Sequence, residues 1–163
     1  MHRMQSLLII ISLLGLLTLP ASAQIYNWNT GLVIPGTENI TPGPWMNLEE
    51  WNTEAQNLRY ADLSGGLNLR GSNFIFSWLD YARFTEANLT GAYFWGTTLT
   101  NANLSASNLT GASFEGATLT NADLSGATVA AADFSGTGFT SQQLYSTASY
   151  QAGELRGIGL GCN

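Results

Sequence analysis

Basic residues and reactive side chains are scarce in this chain. Its 163 residues include one histidine, His2, no lysine, five arginines and one cysteine, Cys162. Most acid–base mechanisms use histidine, so its near absence argues against catalysis. Nucleophilic schemes need a base beside a Ser or Cys. No such pair can be assembled here, because Ser and Thr recur at regular, solvent-facing positions. One cysteine cannot form an internal disulfide, so stability has to come from packing. The acids are scattered rather than clustered, which predicts no metal and no cofactor. A formal net charge of −6 argues against a nucleic-acid partner. The chain also lacks any long stretch with the period of a helix, 3.6, or of a strand, 2.

What it has instead is a period of five. A large apolar residue falls on every fifth position from Leu69 to Phe139: Leu69, Phe74, Leu79, Phe84, Leu89, Phe94, Leu99, Leu104, Leu109, Phe114, Leu119, Leu124, Val129, Phe134 and Phe139. A small residue usually stands two places earlier, as at Ala82, Ala87, Ala92, Ala102, Ala112, Ala117, Ala122, Ala127 and Ala132. Such a chain turns a corner every five residues and buries one large side chain per segment. The fives are themselves grouped, since Phe74, Phe94, Phe114 and Phe134 lie twenty apart. One coil is then a square of four sides, and like side chains stack along the axis. Gly and Asn after the apolar residue suit corners, where positive φ is needed.

These pentads resemble the pentapeptide-repeat family, whose pattern is A-(D/N)-L-x-x. It stands here as Ala61-Asp62-Leu63-Ser64-Gly65, Ala87-Asn88-Leu89-Thr90-Gly91, Ala102-Asn103-Leu104-Ser105 and Ala122-Asp123-Leu124-Ser125-Gly126. The resemblance covers roughly half of the chain, Leu58 to Phe139, and its unbroken register makes it specific. It implies an all-β solenoid, a right-handed quadrilateral β-helix. It implies no single function, because sites are grafted onto folds. Some acidic members resemble duplex DNA and bind DNA gyrase. That role needs a dense anionic surface, whereas most outward positions here are Ser, Thr, Asn or Gly.

The first residues read as a secretory leader. Arg3 is the positive end, Leu7 to Leu17 the apolar run, and Ala21-Ser22-Ala23 the cleavage site. The run is short of the roughly 20 residues that span a bilayer. Cleavage after Ala23 leaves four arginines, Arg59, Arg70, Arg83 and Arg156, against eleven acids, a formal charge of −7. The expected location is secreted, periplasmic or cell-surface, with no membrane attachment after cleavage.

The expected organisation is a leader over 1–23, an irregular N-terminal cap over 24–57, the repeat over 58–139, and over 140–163 a C-terminal cap helix and a partial repeat, since Leu155 and Leu160 are again five apart. The first cap holds Trp28, Trp45 and Trp51. Gly65-Gly66 adds one residue between Leu63 and Leu69 and predicts a bulge. Thr140-Ser141-Gln142-Gln143 reads as a capping box opening a short helix, with Leu144, Tyr145, Ala148 and Tyr150 on its inner face. Leu144 also lies on the five-count, but Gln142 occupies its small-residue slot, so that match reads as coincidence. Edges left open at this end predict weak self-association, with Cys162 nearby.

Two surface features stand out. Thr98-Leu99-Thr100 lies twenty residues before Thr118-Leu119-Thr120, a two-rung threonine ladder of the kind some ice-binding solenoids carry. Outward threonine also simply suits a strand. Phe76, Trp78, Tyr81, Tyr93 and Trp95, with Ile75, fall at outward positions of the first full coils. An apolar patch of this kind is either a partner surface, for a protein or a glycan, or is covered by the cap. The reading favoured is that the cap covers it. The best overall description is a secreted, non-enzymatic structural or protein-binding module. The N-terminus of the exported protein is expected at Gln24, which mass spectrometry would read directly. An intact Met1 in the membrane fraction would mean an anchored protein instead.

Overall fold

The computed structural model describes residues 24–38, 40–50 and 57–163. The expected leader lies outside the described residues, as does Trp51 of the expected cap. Among the described residues no helix is long and apolar enough to cross a membrane.

From Leu58 the chain winds into stacked four-sided coils. The sides appear as four ladders of parallel bridges: Asp62–Arg83–Asn103–Asp123, Asn68–Asn88–Asn108–Thr128, Asn73–Tyr93–Ser113–Asp133 and Trp78–Thr98–Thr118. Every step is twenty residues except Asp62 to Arg83, which is twenty-one. The extra residue sits at Gly65-Gly66, both with φ near +75°. Each side is too short to be a strand by itself. Apart from one turn bond across each corner, such as Ala92 N to Leu89 O at 3.0 Å, its backbone groups pair with the coils below and above. Tyr93 N donates down to Ser72 O at 2.9 Å, and Phe94 N donates up to Ser113 O at 2.7 Å.

The apolar residues point inward and stack. The rings of Phe74, Phe94, Phe114 and Phe134 lie 4.7–5.1 Å apart and within 7° of parallel. The alanines two places earlier are all buried, none more than 4 % exposed. Where Ser or Thr takes that slot, its hydroxyl donates to a carbonyl: Thr97 to Phe74 O at 2.9 Å, Ser107 to Leu104 O at 2.6 Å. A buried hydroxyl needs such a partner. The Asn or Asp of the pentad has a defined task as well. Its Oδ1 accepts from the amide two residues on, as at Asn73 to Ile75 N (3.0 Å), Asn103 to Ser105 N (2.9 Å) and Asp133 to Ser135 N (2.9 Å). Hydrogen bonds from the Ser135 side chain and amide hold the Asp133 carboxyl below its ordinary value, against a smaller upward push from burial.

The N-terminal segment does not stay outside the repeat. Asn47 bridges to Asn73, and Leu48 N donates to Asn73 O at 2.7 Å, the bond that Phe74 N makes one coil higher. Met46 and Leu48, both buried, form an extra half-rung, Met-Asn-Leu-Glu-Glu, displaced by twenty-six residues rather than twenty. On another side, strand β1 (Tyr26–Asn27) pairs antiparallel with β2 (Ala61–Asp62). Ile25 and Ile34 of this segment join the core. An otherwise open edge is thereby covered.

The C-terminal end departs from the expectation in two ways. Phe139 leaves its column above Leu119 and stacks on Phe134 at 4.1 Å, plugging the phenylalanine column. The coil has lost its next full turn there, and the ring finds its partner across the corner. The helix is two helices, α1 (Ser141–Ser146) and α2 (Ala148–Ala152), divided at Thr147, which caps both. Tyr145 and Tyr150 therefore face outward, ring on ring at 4.7 Å, rather than inward. Leu144, partly buried, packs on the core from α1, but the regular register is already lost there: Gly126 N donates to Ser146 O, twenty residues on, where Ala106 N reaches Ser125 O, nineteen on. The capping box is present, with Gln143 N donating to Thr140 Oγ1 and Thr140 N to Gln143 Oε1.

The chain then completes a last rung. Asp133 bridges to Gly159, again twenty-six residues on. A β-carbon at Gly159 would strike the Asp133 carboxylate, so any larger residue there has to displace it. Asn163 closes the rung: its Oδ1 accepts from Thr137 N and Gly138 N, and its Nδ2 donates to Phe134 O at 2.8 Å.

The ring stack predicts a sharp contrast between neighbouring substitutions. Phe94→Ala removes the middle of the column and is expected to cost about 3–5 kcal/mol. Thr100→Ala, at an outward position, should stay within roughly 0.5 kcal/mol. Urea melts of the two variants check this, and equal midpoints would overturn the register.

Candidate functional site

The outward aromatics lie on successive parts of the coil's girth. Tyr93 is on one side, between Asn73 and Ser113 in its ladder. Phe76 and Trp95 are at the following corner. Trp78 opens the next ladder, below Thr98, and Tyr81 is at the corner after that. Outward residues at successive sides and corners form a band around the first coils, not a flat patch.

The cap covers one end of this band. Trp28 Nε1 donates to Tyr81 O at 2.8 Å, and its ring meets Tyr60 edge-on at 5.6 Å. Tyr60 stacks flat on Tyr81, 4.9 Å between centroids. The Arg83 guanidinium lies 3.9 Å over the Trp28 ring. Arg59 lies 4.3 Å over Trp78 and pairs with Asp80 at 3.3 Å. Each cation–π contact contributes about 0.5–1 kcal/mol at such exposed sites. Trp78 is thereby half-buried, and Tyr81 is engaged on one face.

The other end is uncovered. Phe76, Tyr93 and Trp95 are 39 %, 48 % and 45 % exposed. The expectation that the cap folds over the whole patch holds only at the Tyr81 corner, which Trp28 reaches; Trp78 is covered by Arg59, a residue of the repeat itself. The reason is path: the segment carrying Trp28 pairs with β2 and reaches the Tyr60–Tyr81 corner, while Trp45 lies against Gly71 at another corner. Phe76 and Trp95 pack on each other at 4.7 Å, tilted by 59°. Phe76 also sets the Cδ1–Cε1 edge of its ring against Gly96, where a β-carbon would come within 2.7 Å of it. The exposed pair is thus held by backbone beneath it and by each other.

Trp28 was expected in the cap, but its partners at the covered end, Tyr60, Arg59 and Arg83, were not singled out from sequence. Their signal was weak, since only the five-count places Arg59 and Tyr60 against Asp80 and Tyr81. Trp45, 68 % exposed, was assigned to the cap in general. The Asn47-Leu48 pair beside it could have revealed its rung.

The remaining chemistry is limited. Among the described residues no three of His, Cys, Asp and Glu come together to hold a metal. The threonine ladder stays at two rungs. Thr98 Oγ1 donates to Asp80, and the ladder ends at Thr118. Asn88, Asn103 and Asn108 use Oδ1 as acceptors for the amides of Thr90, Ser105 and Thr110. The arrangement can present a rigid surface and bind.

A family model described as pentapeptide repeats matches residues 68–105 and 99–136, in eight copies. Among solved structures, the chain is similar to a pentapeptide repeat protein from the Arabidopsis thaliana thylakoid lumen, at 31 % identity. That match covers 63 % of this chain and 59 % of that one, less than two-thirds of its length, with a TM-score of 0.42. It is also similar to the pentapeptide repeat protein Rfr23 from the cyanobacterium Cyanothece 51142, at 26 % identity. There 72 % of this chain and 79 % of that one are covered, with a TM-score of 0.48. No curated protein matches the chain.

Two glycines separate backbone strain from support of the band. Gly96 and Gly111 both have φ near +65°, but a β-carbon at Gly111 meets nothing within 4 Å. Gly111→Ala should cost about 1–2 kcal/mol for left-handed backbone alone. Gly96→Ala should cost more and swing Phe76 away from Trp95. A larger melting shift together with altered tryptophan fluorescence is the expected reading for Gly96→Ala alone.

Proposed function

Residues 68–136 belong to the pentapeptide-repeat family, and from that premise we propose that the chain is a non-enzymatic protein-binding module working outside the cytoplasm. The proposed contact surface is the uncovered end of the aromatic band, Tyr93, Trp95 and Phe76, with Trp78 and Tyr81 as its flank. We take the coil as right-handed, as the family resemblance implies. The N-terminal segment and the two C-terminal helices act as its caps. The leader read from residues 1–23 supports the location.

The observation that carries this reading is the exposure of Phe76, Tyr93 and Trp95 on a stacked, hydrogen-bonded frame. Large aromatics held still lose little conformational freedom on binding, and such residues dominate interface energetics. The same coil carries Ser, Thr and Gly at most other outward positions, so the band is where apolar binding energy is available.

A photo-crosslinking side chain at Tyr93, used on the exported protein, tests it. Protease-sensitive adducts are expected. Trp95→Ala should weaken formation of the complex by about 2 kcal/mol or more, roughly 30-fold, with the melting temperature little changed. Tyr145→Ala, far along the chain, serves as control. Carbohydrate adducts would instead make the band a glycan-binding surface. Adducts unaffected by Trp95→Ala would remove the band from binding.

A further inference from the structure

Three of the four ladders end in one coil, at Thr118, Asp123 and Thr128, and only the backbone beside Thr128 is met again, by Ala148 N donating to Ala127 O and by Ser149 Oγ accepting from Val129 N. Thr118 and Asp123 are the last residues of theirs, because the chain beyond Gly138 turns inward with Phe139 and then enters α1. One coil below, the amides of Leu99, Asn101 and Leu104 donate to the carbonyls of Thr118, Thr120 and Asp123 at 2.9, 2.9 and 2.8 Å. Among the described residues, no acceptor meets the corresponding amides of Leu119, Asn121 and Leu124. Gln143 fills part of the gap: its Nε2 donates to Leu119 O and Ala122 O, both at 3.0 Å. That satisfies carbonyls of the edge and leaves the amides. Between this edge and α1 lies a cleft of about 490 Å³, bounded by Asn121, Asp123, Gly138, Thr140 and Gln142. Small-ligand and peptide sites fall in the range of roughly 300–1,000 Å³.

We propose that this cleft binds an extended peptide segment of another protein, added as the missing side of the coil. The site is separate from the aromatic band. The coil itself supplies the argument for a peptide. In each lower rung the three amides are met by carbonyls at positions x, x+2 and x+5 of one chain. That order of acceptors belongs to a polypeptide backbone and not to a sugar or a simple anion, and strand addition to an open edge satisfies it. Two further features define the segment. Leu119 is only 2 % exposed, so the residue between the first two carbonyls is small. Asp123 is exposed at one end with no cation among the lining residues, which selects Arg or Lys at x+5 and disfavours an acidic segment.

Amide hydrogen exchange by NMR on the full purified chain tests this, with acetyl-Thr-Ala-Thr-Gly-Ala-Arg-amide as the probe. Without peptide, Leu119, Asn121 and Leu124 are expected to exchange at least about tenfold faster than Leu99, Asn101 and Leu104. Millimolar peptide should slow those three amides about tenfold, in a saturable way. Replacing the peptide's Arg by Glu should abolish the effect. So should Gln142→Trp, which fills the cleft from an exposed helix position and leaves the melting temperature unchanged. Three observations would each overturn the proposal: protection of the three amides without peptide, no response at millimolar peptide, or protection that rises with protein concentration alone. The last would make a second copy of this chain the occupant.

Discussion

Everything in this molecule depends on one repeated contact, the backbone hydrogen bond between a residue and its neighbour one coil away. Beyond the one turn bond at each corner, such as Ala92 N to Leu89 O, no side of the coil can satisfy its own amides, because each contributes a single bridge residue between two corners. Phe94 N needs Ser113 O, and Tyr93 N needs Ser72 O. The inward side chains follow from that spacing. Once the backbones are stacked in register, residues twenty apart lie directly over one another, and the rings of Phe94 and Phe114 meet at 4.7 Å with only 2° between their planes. Burial and hydrogen bonding are therefore one constraint. A coil that loses its neighbour loses both.

That constraint makes the ends the difficult part. At the start, Met46 to Glu50 imitates a rung, while β1 runs antiparallel beneath β2. At the finish, Phe139 plugs the phenylalanine column, α1 and α2 cross the top, and a last rung is tied down by Asn163. Both end rungs are displaced by six residues beyond the regular twenty. At each end the chain takes a detour and then returns to the ladder it left. One stretch of edge, Leu119 to Leu124, receives only the side chain of Gln143.

The middle of the chain was legible from sequence because its physics is local and repeated. The five-count placed Leu69 to Phe134 correctly, and Gly65-Gly66 marked the one irregular step. The Asn and Asp of the pentad were legible as a pattern, but their task as acceptors for the amide two residues on needed the backbone. The ends were read less well. Leu144 packs on the core as a residue of α1, and its place in the five-count carries no register, since the bond from Gly126 N has slipped to Ser146 O. Leu48 escaped notice because six extra residues break its count.

For the surface, the amino-acid sequence determined which residues face outward: Phe76, Trp78, Tyr81, Tyr93 and Trp95 all do, since outward and inward positions are set by distance from the apolar residue of each pentad. Tertiary structure alone decided which of them are covered. Trp28 and Tyr60 meet Tyr81, and Arg59 lies over Trp78, whereas Phe76, Tyr93 and Trp95 remain open. The physical reason is that a periodic pattern specifies the direction of a side chain within its own coil. The path of the non-periodic cap across that coil depends on where its strand finds an unpaired edge, and only the assembled stack shows where such an edge remains.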